Sequence, residues 1–187
     1  MNERPIIFSA PMVRALLAGT KTQTRRIVKP QPLPHGTGWR TRWRNAEIFW
    51  EDAEAAQAVD RNPYGSAGDS LWVKETWRPV PGAKDDPMQV RYRADGEAPA
   101  DEGAWRSSLF MPRWASRITL AIVEVRVERL NRISEADALA EGMSVSPATQ
   151  AYRAQWEAMH GPNSWAQNPW VWVVEFEPPV RAVGAAA

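Results

Sequence analysis

The sequence predicts an α+β domain built on a small closed or nearly closed β-barrel, with short flanking helices and two large loop insertions. Three observations lead there. The strand-like segments are few and widely separated, with short helices between them. The longest, over 117–130, changes phase: Ile118, Leu120 and Ile122 share one face, then Val123, Val125 and Val127 take the other, as a bulge or strong bend requires. No glycine-rich phosphate-binding loop is present, so nothing supports a doubly wound βαβ fold.

The elements follow from local signals. Residues 9–18 read as a helix, with Ser9 as N-cap, Pro11 in the first turn and Gly19 as a left-handed end. Met12, Val13, Leu16 and Leu17 give it one apolar face. Residues 30–64 read as an insertion, opened by Pro30-Gln31-Pro32-Leu33-Pro34-His35-Gly36. Within it, Trp39-Arg40-Thr41-Arg42-Trp43-Arg44 alternates aromatic and basic residues as one arm of a hairpin. The alanine-rich, acidic stretch Glu51–Asp60 suggests a short helix. A turn at Gly65–Asp69 precedes a strand over Ser70–Trp77. A second polar excursion, about 79–112, carries a strand-like piece at Met88–Ala94.

Ser134-Glu135-Ala136-Asp137 resembles a capping box and opens a short helix ending at Gly142. Ser146-Pro147 opens another, with Tyr152, Trp156 and Met159 at helical spacing before Gly161. Trp170–Phe176 is a final strand with apolar residues on both faces, so both sides are covered. Residues 1–177 thus form a single domain, and 178–187 read as a flexible tail.

Composition bounds the function. The chain of 187 residues has ordinary apolar and charged fractions, and no run of apolar residues is long enough to span a bilayer. Met1-Asn2-Glu3-Arg4-Pro5 lacks a basic-then-apolar signal pattern, so no export and a cytoplasmic location are expected; with no cysteine, neither a disulfide framework nor a thiolate metal site is available. His35 and His160 lie far apart, and no metal or cofactor is expected. Residues 1–50 hold nine Lys/Arg against two Asp/Glu, although the whole chain is only +1. That basic front end suits an anionic partner, nucleic acid first, or is simply a dipolar charge distribution. Eleven tryptophans divide between core and a possible base-stacking surface.

The segment Leu17-Ala18-Gly19-Thr20-Lys21-Thr22-Gln23-Thr24-Arg25-Arg26 stands out. The chain prefers arginine, with four lysines among 23 cations, yet puts Lys21 beside hydroxyls. Lysine, unlike arginine, can lose its proton when buried or crowded by cations, and then act as a base.

The run Ala18–Arg25, then Gly68-Asp69 before a strand, then Glu141-Gly142-Met143, then Val173-Val174-Glu175-Phe176, resembles the ASCH domain. The resemblance implies a PUA-like β-barrel and an association with RNA. Trp72-Val73-Lys74-Glu75-Thr76-Trp77, Met111–Arg117 and Asn168-Pro169-Trp170 look like a longer form among phage and prophage proteins. One branch of the family, the N(4)-acetylcytidine amidohydrolases, uses a lysine, a threonine three residues later and a glutamate near the end of a later helix. Those positions fall on Lys21, Thr24 and Glu141. The shared pattern covers somewhat under half of the chain, and the insertions at 30–64 and 79–112 have no counterpart in the small enzymes.

The resemblance implies a metal-independent amidohydrolase acting on an acylated cytosine. Lys21 is then the base, Thr24 the nucleophile or water-orienting group, and Glu141 the proton shuttle. Arg25 and Arg26 would stabilise developing charge. Trp39, Arg40, Arg42 and Trp43 would stack bases and hold phosphates, or form an amphipathic arm with tryptophans inward. Arg113, Trp114, Ser116 and Arg117 would line the barrel mouth, or pack at a strand entry. The alternatives are a non-catalytic module binding RNA, DNA or a modified base, with RNA ahead of DNA, and an ASCH-type ribonuclease using Lys21 and Glu141. The oligomeric state is left open.

Overall fold

The structure is a computed structural model that describes residues 2–43, 46–51, 62–82, 86, 89–97 and 103–179. In chain order the elements are β1 Glu3–Ile7, α1 Ala10–Leu17, β2 Gln23–Ile27, β3 Leu33–His35, β4 Gly38–Trp43, β5 Ala46–Glu51, β6 Ser70–Lys74 and β7 Trp77–Pro79. They continue with β8 Val90–Tyr92, β9 Thr119–Arg129, α2 Glu135–Ala140, α3 Ala148–His160 and β10 Trp170–Phe176. The fold is mixed α and β, as the sequence predicts. The expected helix over 51–60 lies outside the described residues apart from Glu51, which ends β5; so does the expected tail beyond 179.

The main sheet has five strands in the order β1-β6-β9-β10-β2. β1 and β6 are parallel; the other neighbours are antiparallel. Among the described residues no ladder joins β2 back to β1. A side chain spans that gap instead: Arg26 Nη2 donates to the Ile7 carbonyl at 2.6 Å.

β9 holds the sheet together by pairing on two neighbours. Its start, Thr119–Ala121, pairs with β6, and Ile122–Arg129 pairs with β10. The phase change expected there is a β-bulge. Glu175 pairs with Glu124 and Phe176 with Ile122, leaving Val123 unopposed. The extra residue turns Val125 and Val127 back onto the face of Ile118, Leu120 and Ile122, and all five join one core. Val123 does not share a face with Val125; it is exposed.

β10 is covered on both sides. Trp170, Trp172, Val174 and Phe176 face the core formed with Phe8, Val13 and Leu16, while Val171 and Val173 pack beneath Tyr152 and Trp156 of α3. Met159, at the same helical spacing, lies beyond that contact and is half-exposed. α2 opens on a true capping box: the Ser134 hydroxyl accepts from the Asp137 N–H, and the Asp137 carboxylate accepts from the Ser134 N–H.

The expected strand over 70–77 is broken at Glu75-Thr76. The Glu75 carboxylate is buried and held by both Arg117 Nε and Nη2, at 3.0 and 3.2 Å. Beyond the break β7 pairs with β8 over a separate small core of Trp77, Val90, Tyr92, Met111 and Ala115. The other insertion also has order of its own, a three-stranded sheet β3-β4-β5.

Candidate functional site

α1 delivers Lys21 to its place. Ala18 caps the helix, Gly19 takes a left-handed turn at φ +72°, and the Lys21 N–H still reaches the Ala15 carbonyl at 3.2 Å. The chain then meets the end of α2. Lys21 and Glu141 form an isolated antiparallel bridge, and the Thr22 N–H donates to the Ala140 carbonyl at 2.8 Å. Gly142 makes the approach possible. A Cβ there would lie 3.2 Å from that of Ala15 and 3.3 Å from that of Lys21, and φ is +93°.

The side chains converge as well. Lys21 Nζ donates to Glu141 Oε2 at 2.6 Å, to the Glu141 carbonyl at 3.0 Å and to the Gln23 carbonyl at 2.8 Å. Lys21 is 0% and Glu141 4% exposed, so the pair is shut off from water. Burial pushes the Lys21 amine below its ordinary range, the Glu141 charge and hydrogen bond oppose that, and the Arg26 and Arg25 charges add to the lowering; the net shift is downward.

Arg25, also buried, faces the other carboxylate oxygen. Its Nη1 is 3.5 Å from Glu141 Oε1, which accepts no hydrogen bond. Arg25 Nη2 lies 3.3 Å from both Glu128 and Asp137, and Nη1 donates to the Gln23 amide oxygen. Gln23 Nε2 donates to Asp137 at 3.0 Å and to Glu175 at 2.8 Å, and Arg126 bridges Glu124, Glu128, Asp137 and Glu175. Burial would raise the Asp137 carboxyl, but the Ser134 N–H and hydroxyl, Gln23 and Arg25 hold it at about 2. Tyr152 of α3 borders the cluster; burial, then the Glu141 charge, push its phenol well above its usual value.

The sequence-predicted residues therefore separate into groups. Lys21 and Glu141 are in contact. Arg25 joins them, but wholly inside the protein. Thr24 is buried on the opposite face of β2, paired with Val174, and no hydrogen bond links its hydroxyl to Lys21 or Glu141. Arg26 shares the Thr24 face, with its guanidinium 5.1 Å from the Phe8 ring centre; Lys21 Nζ is 5.7 Å from the same ring. The lysine amine thus borders both faces of the strand.

The other groups lie apart from this pair. Trp39 packs edge-on against Trp170 at 5.4 Å, with the Arg129 guanidinium 4.3 Å from Trp39 and 4.5 Å from Trp170. Arg40 is half-exposed and Arg42 exposed, at alternate positions of β4; the Trp43 side chain is outside the described set. Arg113 grips Glu3 through two hydrogen bonds, and Trp114 packs on Trp77. The Ser116 hydroxyl donates to the Val73 carbonyl. Arg117 holds Glu75 and Asp95 and lies 3.9 Å from the Tyr92 ring centre. A cavity of ≈ 360 Å³ at Arg78, Pro81, Gly103 and Arg106 lies in the second insertion, away from Lys21.

Gln23, Glu128, Asp137 and Tyr152 belong to the site and were not expected there. Asp137 had a local signal, but for capping. Gln23 stands two residues from Arg25, which in a strand means the same face. Glu128 and Tyr152 carry no such signal.

No family model matches the chain, and no curated protein matches it. Among solved structures, protein EF3133 from Enterococcus faecalis V583, of family DUF984, aligns with all of this chain and 86% of its own, at 9% identity and a TM-score of 0.46. Among the described residues no helix is long and apolar enough to cross a membrane.

Proposed function

We propose that this protein is a metal-independent amidohydrolase of the ASCH type, with a PUA-like barrel, that removes an acyl group from the exocyclic nitrogen of N(4)-acetylcytidine or a related modified nucleoside. The observation that carries the reading is the buried Lys21–Glu141 contact of 2.6 Å, with the lysine amine shifted downward. Titratable pairs perturbed by burial concentrate at reactive sites, because a base must lose its proton near working pH.

Each residue has a role. Once substrate has opened the Phe8 side of this buried pair to water, the unprotonated form of Lys21 takes a proton from a water held by Thr24 as the water oxygen bonds to the acyl carbon. The proton passes from Nζ to Glu141 Oε2. Glu141 delivers it to the exocyclic nitrogen as the C–N bond breaks, releasing the free amine and the carboxylic acid. Arg26, on the Thr24 face beside Phe8, supports the oxyanion.

Incubation with N(4)-acetylcytidine, followed by chromatography of cytidine, tests this. Lys21→Met, in which Glu141 still has Arg25, and Glu141→Gln, which unlike alanine keeps an acceptor for Lys21, should each lower turnover by about 10²–10⁴-fold with the folded circular-dichroism spectrum retained. Activity surviving both substitutions rules the assignment out.

One observation favours a second reading, a nucleic-acid-binding module: on one face of β4 Arg42 is exposed and Arg40 half-exposed. Affinity for single-stranded RNA should then fall with salt, and Arg40→Ala with Arg42→Ala should flatten the log–log slope by about 0.7 for each phosphate no longer neutralised. A slope unchanged by the double substitution counts against β4 as the RNA-binding strand; cleavage of the RNA would point to the ribonuclease alternative.

A further inference from the structure

We propose that Arg25 is a positioning residue: it fixes the Glu141 carboxylate and compensates its charge, so that Lys21 can give up its proton without leaving a bare anion in the core. The proposal deepens the reading of Lys21 as a base and concerns the same site.

The geometry comes from three elements. Glu141, at the end of α2, presents one oxygen to Lys21 at 2.6 Å and the other to Arg25 at 3.5 Å. Lys21 is a cation that can be lost; Arg25 is one that cannot, since guanidinium stays protonated at any pH a protein survives. A carboxylate whose only counter-charge was Lys21 would tie that lysine to its proton. With a second, permanent cation on the other oxygen, Glu141 keeps a counter-charge after Lys21 loses its proton.

Arg25 can do this because it is itself held. Its side chain is 0% exposed and is surrounded by Glu128 from β9, Asp137 from α2 and the Gln23 amide from its own strand. Those partners fix its plane towards Glu141. They also occupy both of its Nη groups, so it serves no substrate directly. The charged and titratable groups around Lys21 are thus Glu141, Arg25 and Arg26, with Asp137, Glu128 and Tyr152 behind them. Arg126 sets the outer ring by pairing with Glu128 and Asp137.

The test reads Lys21 itself. The chain has four lysines, so the ¹³Cε/¹⁵Nζ signal of Lys21 in the full-length protein is assigned by its absence in Lys21→Met. Removing the cation with Arg25→Met should move the Lys21 titration upward by about one pH unit. Arg25→Lys, which keeps the charge, should leave it near wild type. Glu128→Gln, which strips a counter-charge from Arg25, should move it downward. The acid limb of kcat/KM for N(4)-acetylcytidine should move up in Arg25→Met and return in Arg25→Lys. A Lys21 titration unmoved in both Arg25→Met and Glu128→Gln overturns the proposal. If Arg25→Met does not fold, Glu128→Gln decides alone: a downward shift supports it and no shift overturns it. Absence of turnover in the wild type would reject the amidohydrolase reading, while the titration still tests Arg25.

Discussion

Glu141→Ala is expected to cost about 3–5 kcal/mol of stability at neutral pH, the range for removing one partner of a buried ion pair. In a domain whose whole stability is about 5–15 kcal/mol, that approaches unfolding. Lys21 is enclosed by Phe8, the Gln23 carbonyl and the end of α2, so no water replaces the lost carboxylate. The sign of the pH dependence follows from the direction of the lysine shift. The folded amine lies below its ordinary 10.5. Between that lowered value and 10.5 the unfolded chain binds more protons than the folded one, so stability rises with pH across the window and is flat below it. Glu141→Ala removes the contact that raises the Lys21 value, so its window opens at lower pH and its deficit is worst in acid. Urea unfolding over a pH series measures both. Replacing both members, Lys21→Met with Glu141→Leu, should recover most of the loss, because a well-packed apolar pair is often neutral against a buried ion pair. A cost under about 1 kcal/mol for Glu141→Ala, or a pH slope equal to wild type, would mean that the pair is not sealed as described.

How far the sequence reads ahead depends on the range of each interaction. Helix ends are written locally. The Ser134 cap and the left-handed Gly19, Gly142 and Gly161 all sit where their residue types predict. The bulge at Val123 is legible because an insertion in a strand inverts the apolar alternation, although its effect on Val125 and Val127 needed the Glu175–Glu124 register. β10 is legible as a short, nearly continuous apolar run, which a strand covered on both faces explains. The break after Lys74 is not, because its cause lies at Arg117, far along the chain. Arg25 is the sharpest case. Its type and place suit an anion at a surface, but its partners come from 103 residues away on β9 and from α2. Nothing short-range distinguishes a solvated arginine from one closed in by distant carboxylates. The Lys21–Glu141 contact, 120 residues apart, is legible through family resemblance and not through local pattern.

The second large effect is expected at Trp170. Trp170→Ala should lower stability by about 3–5 kcal/mol in urea unfolding, the range for deleting a buried aromatic side chain. The indole is 1% exposed in the main core, at the first residue of β10. Its backbone is clamped by a side chain: Gln31 Nε2 donates to the Trp170 carbonyl and Gln31 Oε1 accepts from its N–H, both at 2.9 Å. That amide takes the place of a ladder partner where β2 has ended, while Val28 supplies a further hydrogen bond to the same carbonyl at 3.0 Å. Loss of the ring leaves a cavity beneath Trp39 and takes one aromatic face from Arg129. Trp170→Phe should cost less, since a ring remains. The coupling to the first insertion is separable. A double-mutant cycle of Trp170→Ala with Trp39→Ala should give an interaction of about 0.5–1.5 kcal/mol, as for aromatic pairs in edge contact. A cycle with no coupling would mean that Trp39 does not tie the three-stranded sheet to the core. If the coupling is found, the orientation of Arg40 and Arg42 on β4 is set by the packing of Trp39 on Trp170, and any anionic partner of that strand meets a surface fixed by the main core.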